Sequence, residues 1–198
     1  DCSQSRGLGD VYKRQLQLCL MTAQIANGGY KIKPKIIVND DPLTLEDAKN
    51  LMEFQSLQKP NTRLFNDQKN IKIVQEAMFS STNEQFGTSY RSRIDDPKYQ
   101  FAGKTGTAQV KRISKREREL DLELEQIPYK DRDHALYVAY GPYKNPRYAL
   151  SIIVEHGGSG SKAAAPMAKK LFKLIIDRDE LRDKQSNFEN INISVSYT

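Results

Sequence analysis

Phe101-Ala102-Gly103-Lys104-Thr105-Gly106-Thr107-Ala108-Gln109-Val110 is the stretch on which the reading of this chain turns. It sets a lysine, two hydroxyls and two glycines within residues 103–107. Tyr99-Gln100-Phe101 leads into it and Ala108-Gln109-Val110 carries it on, so residues 99–110 read as one strand. Lys104 offers a fixed positive charge to a carboxylate or a developing oxyanion. Thr105 and Thr107 offer hydroxyl donors. Gly106 leaves the strand bare, so an extended substrate backbone can lie against it. Three letters, Lys-Thr-Gly, describe an ordinary edge strand with a solvent-facing lysine equally well, and the flanking sequence has to decide.

Downstream, residues 134–140 (HALYVAY) and 147–155 (RYALSIIVE) are strand-like, with turn signals at Gly141-Pro142 and Asn145-Pro146 between them. With residues 99–110 they predict a three-stranded antiparallel sheet. The glycine-rich loop His156–Ser161 then leads into an amphipathic helix from Lys162 to about Arg182, with Pro166 early in it. Strands followed by a helix that packs on them give the α+β class. Lys104 and the 157–160 loop are expected to face one open groove.

Upstream, Leu16–Asn27 has the spacing of a helix buried on most sides, closed by Asn27-Gly28-Gly29 with glycine at a left-handed cap. Tyr30–Val38 alternates and is β-like, and Pro34 inside it makes it an edge strand or an extended arm. Leu45–Gln58 predicts a helix with Thr44 as N-cap. Ile71–Gln85 predicts another, with Ile71, Val74, Ala77 and Met78 on its buried face. Gly87-Thr88 ends that helix, and a loop runs to Pro97. The excursion 111–133 is basic first and acidic later, the pattern of a solvated insertion or of a docking surface for a partner.

Composition narrows the function classes. The 198 residues carry a net charge of +6, with acids interleaved among the bases, which argues against a dedicated nucleic-acid face. Two cysteines, Cys2 and Cys19, make no metal spacing or disulfide framework, and two distant histidines argue against zinc, so no cofactor is expected. No apolar run is long enough to span a membrane. Residues 1–15 lack periodicity and resemble a foreign, translated read-through; they are expected to be a non-native or disordered start. Residues 16–182 then form the domain, and 183–198 a polar tail.

From Leu16 to about Arg178 the chain resembles the C-terminal half of the transpeptidase domain of class B, cell-elongation penicillin-binding proteins, the penicillin-binding protein 2 type. The matching segments are LQLCLMTAQIANGGYKIKPKI, FGTSYRSRID, AGKTGTAQV, DRDHALYVAYGPYKNPRYALSIIVEHGG and AAPMAKKL, in family order and spacing. The resemblance implies a partial penicillin-binding/β-lactamase-like transpeptidase fold, an antiparallel sheet with packed helices. It implies acyl transfer on peptidoglycan stem peptides, with β-lactams as inhibitors. Lys104 matches the third-motif lysine. Thr105, Gly106 and Thr107 match the substrate-carboxylate positions, and the Thr107 N–H matches one oxyanion donor. For a full-length member it also implies the periplasmic face of the inner membrane, and partners among the membrane glycosyltransferase and scaffold proteins of the elongation complex.

The family's Ser-x-x-Lys nucleophile and Ser-x-Asn motif precede the segment that Leu16 begins to match, so this chain is expected to be inactive alone and marginally stable. Its sheet is expected to lack cover on one face. A non-catalytic cell-wall binding or scaffolding remnant is the alternative. Ser56-Leu57-Gln58-Lys59, Ser159-Gly160-Ser161-Lys162 and Ser81-Thr82-Asn83 satisfy the short patterns, as chance allows in a chain of this composition. Ser56 stands at a helix end beside Pro60, whereas an activated serine needs the opposite end, where the dipole favours an anion.

Overall fold

The computed structural model describes residues 8–34, 63–65, 67–111 and 123–195. Among these residues three α-helices pack around a three-stranded antiparallel sheet. The helices are α1 (Leu8–Ala26), α2 (Gln68–Asn83) and α3 (Ala165–Val195), and the strands are β1 (Ala102–Ala108), β2 (His134–Gly141) and β3 (Tyr148–Val154). The strand order is β1-β2-β3, with Lys104 opposite Val138 and Thr105 opposite Tyr137 in one ladder, and Tyr137 opposite Ile152 in the other.

The sheet has a different core on each face. On one, Phe101, Tyr137 and Ala139 meet Ala164, Ala165, Ala168 and Phe172 of the C-terminal helical segment. The Phe101 and Phe172 rings stack at 4.9 Å. On the other, Ala102 and Tyr140 meet Met78 of α2 with Ile25 and Ala26 of α1. The expectation of an uncovered face is therefore corrected: α1 and α2 cover it, and α1 is held to β3 by the Gln15 amide donating to the Ser151 carbonyl at 2.9 Å.

Of the start set apart at residues 1–15, residues 8–15 are helical, as the first turns of α1, and residues 1–7 lie outside the described residues. At its other end α1 closes as expected. Gly28 and Gly29 adopt positive φ of 86° and 90°, the Gly29 N–H reaches the Gln24 carbonyl at 2.7 Å, and the Asn27 side chain accepts from Gly29 and Tyr30. Among residues 30–34 only Tyr30 pairs, in an isolated bridge to Arg63, so these residues follow the extended-arm alternative; residues 35–38 lie outside the described residues. The helix read at 45–58 lies outside the described residues.

Asp67 caps α2 through its carboxylate, which accepts the Lys69 N–H at 2.8 Å. The buried stripe of α2 is Ile71, Met78 and Thr82, whereas Val74 and Ala77 face solvent, contrary to the sequence reading. The reason is Gln75, which takes the helical position between Ile71 and Met78. Its amide donates to the Ile25 carbonyl at 2.7 Å and to the Ala26 carbonyl at 3.3 Å. A polar residue thus occupies the inward face because it satisfies the last carbonyls of α1. Beyond β1, the excursion closes on itself: the Asp133 carboxylate accepts from the Val110 N–H at 3.2 Å. Its 123–131 part forms two 3₁₀ turns, and residues 112–122 lie outside the description. Residues beyond 182, read as a loose tail, continue α3 to Val195.

Candidate active site

The site is built on β1, an edge strand. Side chains alternate across it, so Gly103, Thr105 and Thr107 belong to the Tyr137 face and Lys104 to the Val138 face. Backbone groups alternate as well. The Gly103 carbonyl accepts from Thr82 Oγ1 at 3.4 Å and the Phe101 carbonyl from Asn83 Nδ2 at 3.0 Å, so the odd-numbered residues of β1 turn their N–H and C=O away from β2. Thr105 and Thr107 therefore present backbone donors and acceptors along the free edge. Lys104 is exposed, and its ammonium folds round that edge to the Thr105 carbonyl at 2.9 Å. The Thr105 hydroxyl meets Thr88 Oγ1 at 3.1 Å, and Thr88 in turn meets Ser81 Oγ at 3.1 Å. Thr107 is exposed.

Behind the edge lies a cluster that the sequence reading missed. The Tyr137 ring is fully buried and its hydroxyl lies 3.0 Å from both Thr82 Oγ1 and Ser89 Oγ. Burial raises the pKa of this phenol, and the two hydroxyl contacts oppose the rise. The ring reaches α2 by passing over Gly103, where an added Cβ would lie 2.6 Å from Tyr137 Cζ and nearer still to its hydroxyl oxygen. A glycine inside a strand is the signal that could have pointed to such a close approach.

Gly160 marks a second close approach, here of the loop to the backbone of the β1–β2 pair. A Cβ there would meet the Leu136 carbonyl oxygen and would lie 2.8 Å from that of Gly106. The glycine loop thus lies on the sheet beside Gly106, and it leads into a π-helical turn, Gly160–Ala164, ahead of α3. Lys104 leaves β1 on the opposite face. The cavity next to the π-helical turn is lined by residues 85 and 87–92, by Ser161 and Lys162, and by Pro166, Lys169, Lys170 and Lys173 of α3; neither Lys104 nor residues 157–160 belong to its lining.

The motif decoys find local roles. Ser81-Thr82-Asn83 is the last turn of α2, and each side chain is engaged as a clamp on β1 or on the loop that follows. Ser159 Oγ lies 2.9 Å from Ser161 Oγ. Ser56 lies outside the described residues. No cluster of metal-ligating side chains occurs among the described residues.

The sequence profile described as the penicillin binding protein transpeptidase domain matches residues 5–173. The chain belongs to the penicillin-binding protein transpeptidase family. A curated relative, the peptidoglycan D,D-transpeptidase MrdA of Salmonella typhimurium, is 30% identical over 175 residues, which are 87% of this chain and 27% of that protein. MrdA of Acinetobacter baumannii is 33% identical over 176 residues, 86% of this chain and 23% of that protein. Among solved structures, Helicobacter pylori PBP2 in complex with MreC is similar with a TM-score of 0.57 and 29% identity, over 81% of this chain and 25% of that one. Pseudomonas aeruginosa PBP2 in complex with WCK 5153 has a TM-score of 0.52 and 29% identity, over 80% of this chain and 29% of that one. The chain thus spans about a quarter of the length of the curated relatives it matches.

Proposed function

We propose that this chain supplies the Lys-Thr-Gly strand of a peptidoglycan D,D-transpeptidase of the cell-elongation type. The observation that carries the reading is the free edge of β1, with the outward backbone groups of Thr105 and Thr107 beside the Lys104 ammonium. An extended stem peptide adds to such an edge as a further strand. In this reading Lys104 attracts the substrate carboxylate and holds the charge network near the nucleophile. Thr105 and Thr107 bind that carboxylate, or the carboxylate of a β-lactam, and Gly106 leaves room for the peptide. The Thr107 N–H is one of the two donors to the oxyanion, and losing such a donor lowers the rate ~10²–10³-fold.

The nucleophilic serine belongs, in this proposal, to family sequence that this chain does not contain. Among the described residues Ser81 and Ser159 satisfy the short patterns, but their hydroxyls are engaged by Thr88 and Ser161. The chain alone therefore does not turn over. The names of the relatives support peptidoglycan as substrate and an MreC-type scaffold as partner of the whole enzyme, and the name of the family supports penicillins as its inhibitors. In this reading the whole enzyme works at the periplasmic face of the inner membrane, as the family resemblance implies. No helix of the described residues is long and apolar enough to cross a membrane.

The test uses a fluorescent penicillin and denaturing gels, on the 198-residue chain and on the same chain fused behind the preceding half of the Salmonella relative's domain. The expected result is no adduct on the chain, and an adduct on the fusion that Lys104→Ala reduces strongly. An adduct on the chain alone that Ser56→Ala abolishes overturns the assignment of the serine. A labelled fusion indifferent to Lys104→Ala overturns the role of β1.

A further inference from the structure

We propose that the cavity between the 85–92 loop and the start of the C-terminal helix binds a compact polyanion, specifically a ligand carrying a diphosphate group. The cavity has a volume of about 800 Å³, within the range of small-molecule sites. Its lining includes Arg91, Lys162, Lys169, Lys170 and Lys173, and no aspartate or glutamate. None of these five cations makes an ion pair among the described residues; the nearby acids of α3 are committed elsewhere, Asp177 and Glu180 to Lys98 and Asp179 to Arg147 and Arg182.

The placement follows from helix geometry. Ala165, Ala168, Phe172 and Ile176 bury the inner face of the helix. Lys162, Lys169 and Lys173 follow one another at spacings of seven and four, with Pro166 between the first two, so they line one outer stripe that faces the loop. Like charges four residues apart on a helix repel, and the positive end of the helix dipole adds to the same field. An uncompensated field of this kind is relieved by a bound anion. A carboxylate brings one charge, whereas a diphosphate brings about three in the volume of a few water molecules, which suits five cations better. Ser161 and Thr88 are further polar residues of the lining, and Thr88 also touches Thr105 of β1. The cavity thus adjoins the free edge of the strand. The inference goes beyond acyl transfer and is measured without it.

Inorganic pyrophosphate is the probe, titrated calorimetrically into the 198-residue chain and scored in parallel by thermal shift at constant ionic strength set with chloride. Saturable binding and a raised melting temperature are expected. The variant Lys162→Gln/Lys169→Gln/Lys173→Gln should bind about tenfold or more weakly, since it loses three charge-assisted contacts. It should also melt higher than the parent without anion, because the repulsion is gone; a merely misfolded variant would melt lower. Lys144→Gln, away from the cavity, should bind like the parent. Co-sedimentation with phosphatidylglycerol vesicles separates a lipid surface from a soluble diphosphate: capture by vesicles without pyrophosphate binding refutes the proposal. So does pyrophosphate binding that the triple variant retains, or that equal ionic strength of chloride reproduces.

Discussion

Replacing Gly103 with alanine sets a methyl group against the Tyr137 ring. The new Cβ would lie 2.6 Å from Cζ and 2.8 Å from Cε1. The ring cannot step aside cheaply. It is fully buried against Ala164, Ala165 and Phe172, and its hydroxyl is pinned between Thr82 and Ser89 at 3.0 Å from each. Overpacking of this kind costs about 1–3 kcal/mol. Displacing the hydroxyl gives up two hydrogen bonds of about 1 kcal/mol each. Alanine returns about 0.5–1 kcal/mol through its smaller entropy loss in a strand. The net expectation is a loss of about 2–4 kcal/mol, a large share of the stability of a small domain. Urea unfolding of the parent, Gly103→Ala, Tyr137→Leu and the double variant measures it. If the methyl acts through the ring, the double variant loses about 1–2 kcal/mol less than the two single losses together. A Gly103→Ala loss below about 0.5 kcal/mol, with additivity in the double variant, refutes the reasoning.

Two further outcomes follow from the cores. The Tyr140 hydroxyl is buried and has no partner among the described residues, so Tyr140→Phe should be neutral or stabilising by about 1 kcal/mol in the same unfolding assay. Burial raises the pKa of Tyr140, and of Tyr137, above the value in the unfolded chain. The stability tied to these phenols is therefore complete below about pH 10 and declines as pH rises beyond it, and Tyr140→Phe should flatten that alkaline decline in melting curves. Phe172→Ala empties the face that stacks on Phe101 and should cost about 3–5 kcal/mol, read from the urea midpoint; a cost below that of an exposed leucine such as Leu174 would mean that this face is not a core.

The strands, the hairpin and the C-terminal helix were legible because each is written in a local period. Residues 134–140 and 147–155 alternate between turn signals, and strands formed at His134–Gly141 and Tyr148–Val154. Asn27-Gly28-Gly29 closed its helix for the same reason, since a left-handed cap is a demand of the backbone alone. The Lys-Thr-Gly-Thr run told which residue types the site has, and the spacing of five segments told which family supplies the pattern. Where the reading failed, the deciding partner lies far along the chain. Gln75 is polar, yet it points inward because the carbonyls of Ile25 and Ala26, some fifty residues earlier, need a donor. Residues 8–15 have no period of their own, and they are helical where Gln15 reaches the Ser151 carbonyl of β3. Gly103 looks like any glycine until Tyr137 passes over it. The sequence by itself determined the elements and the chemistry of the 103–107 run. Only tertiary structure decided which face of β1 each side chain takes, that both faces of the sheet are covered, and that five cations of one loop and one helix meet in one cavity. Periodicity acts within a few residues, whereas burial, hydrogen-bond satisfaction and charge accumulation are properties of whatever the folded chain brings together.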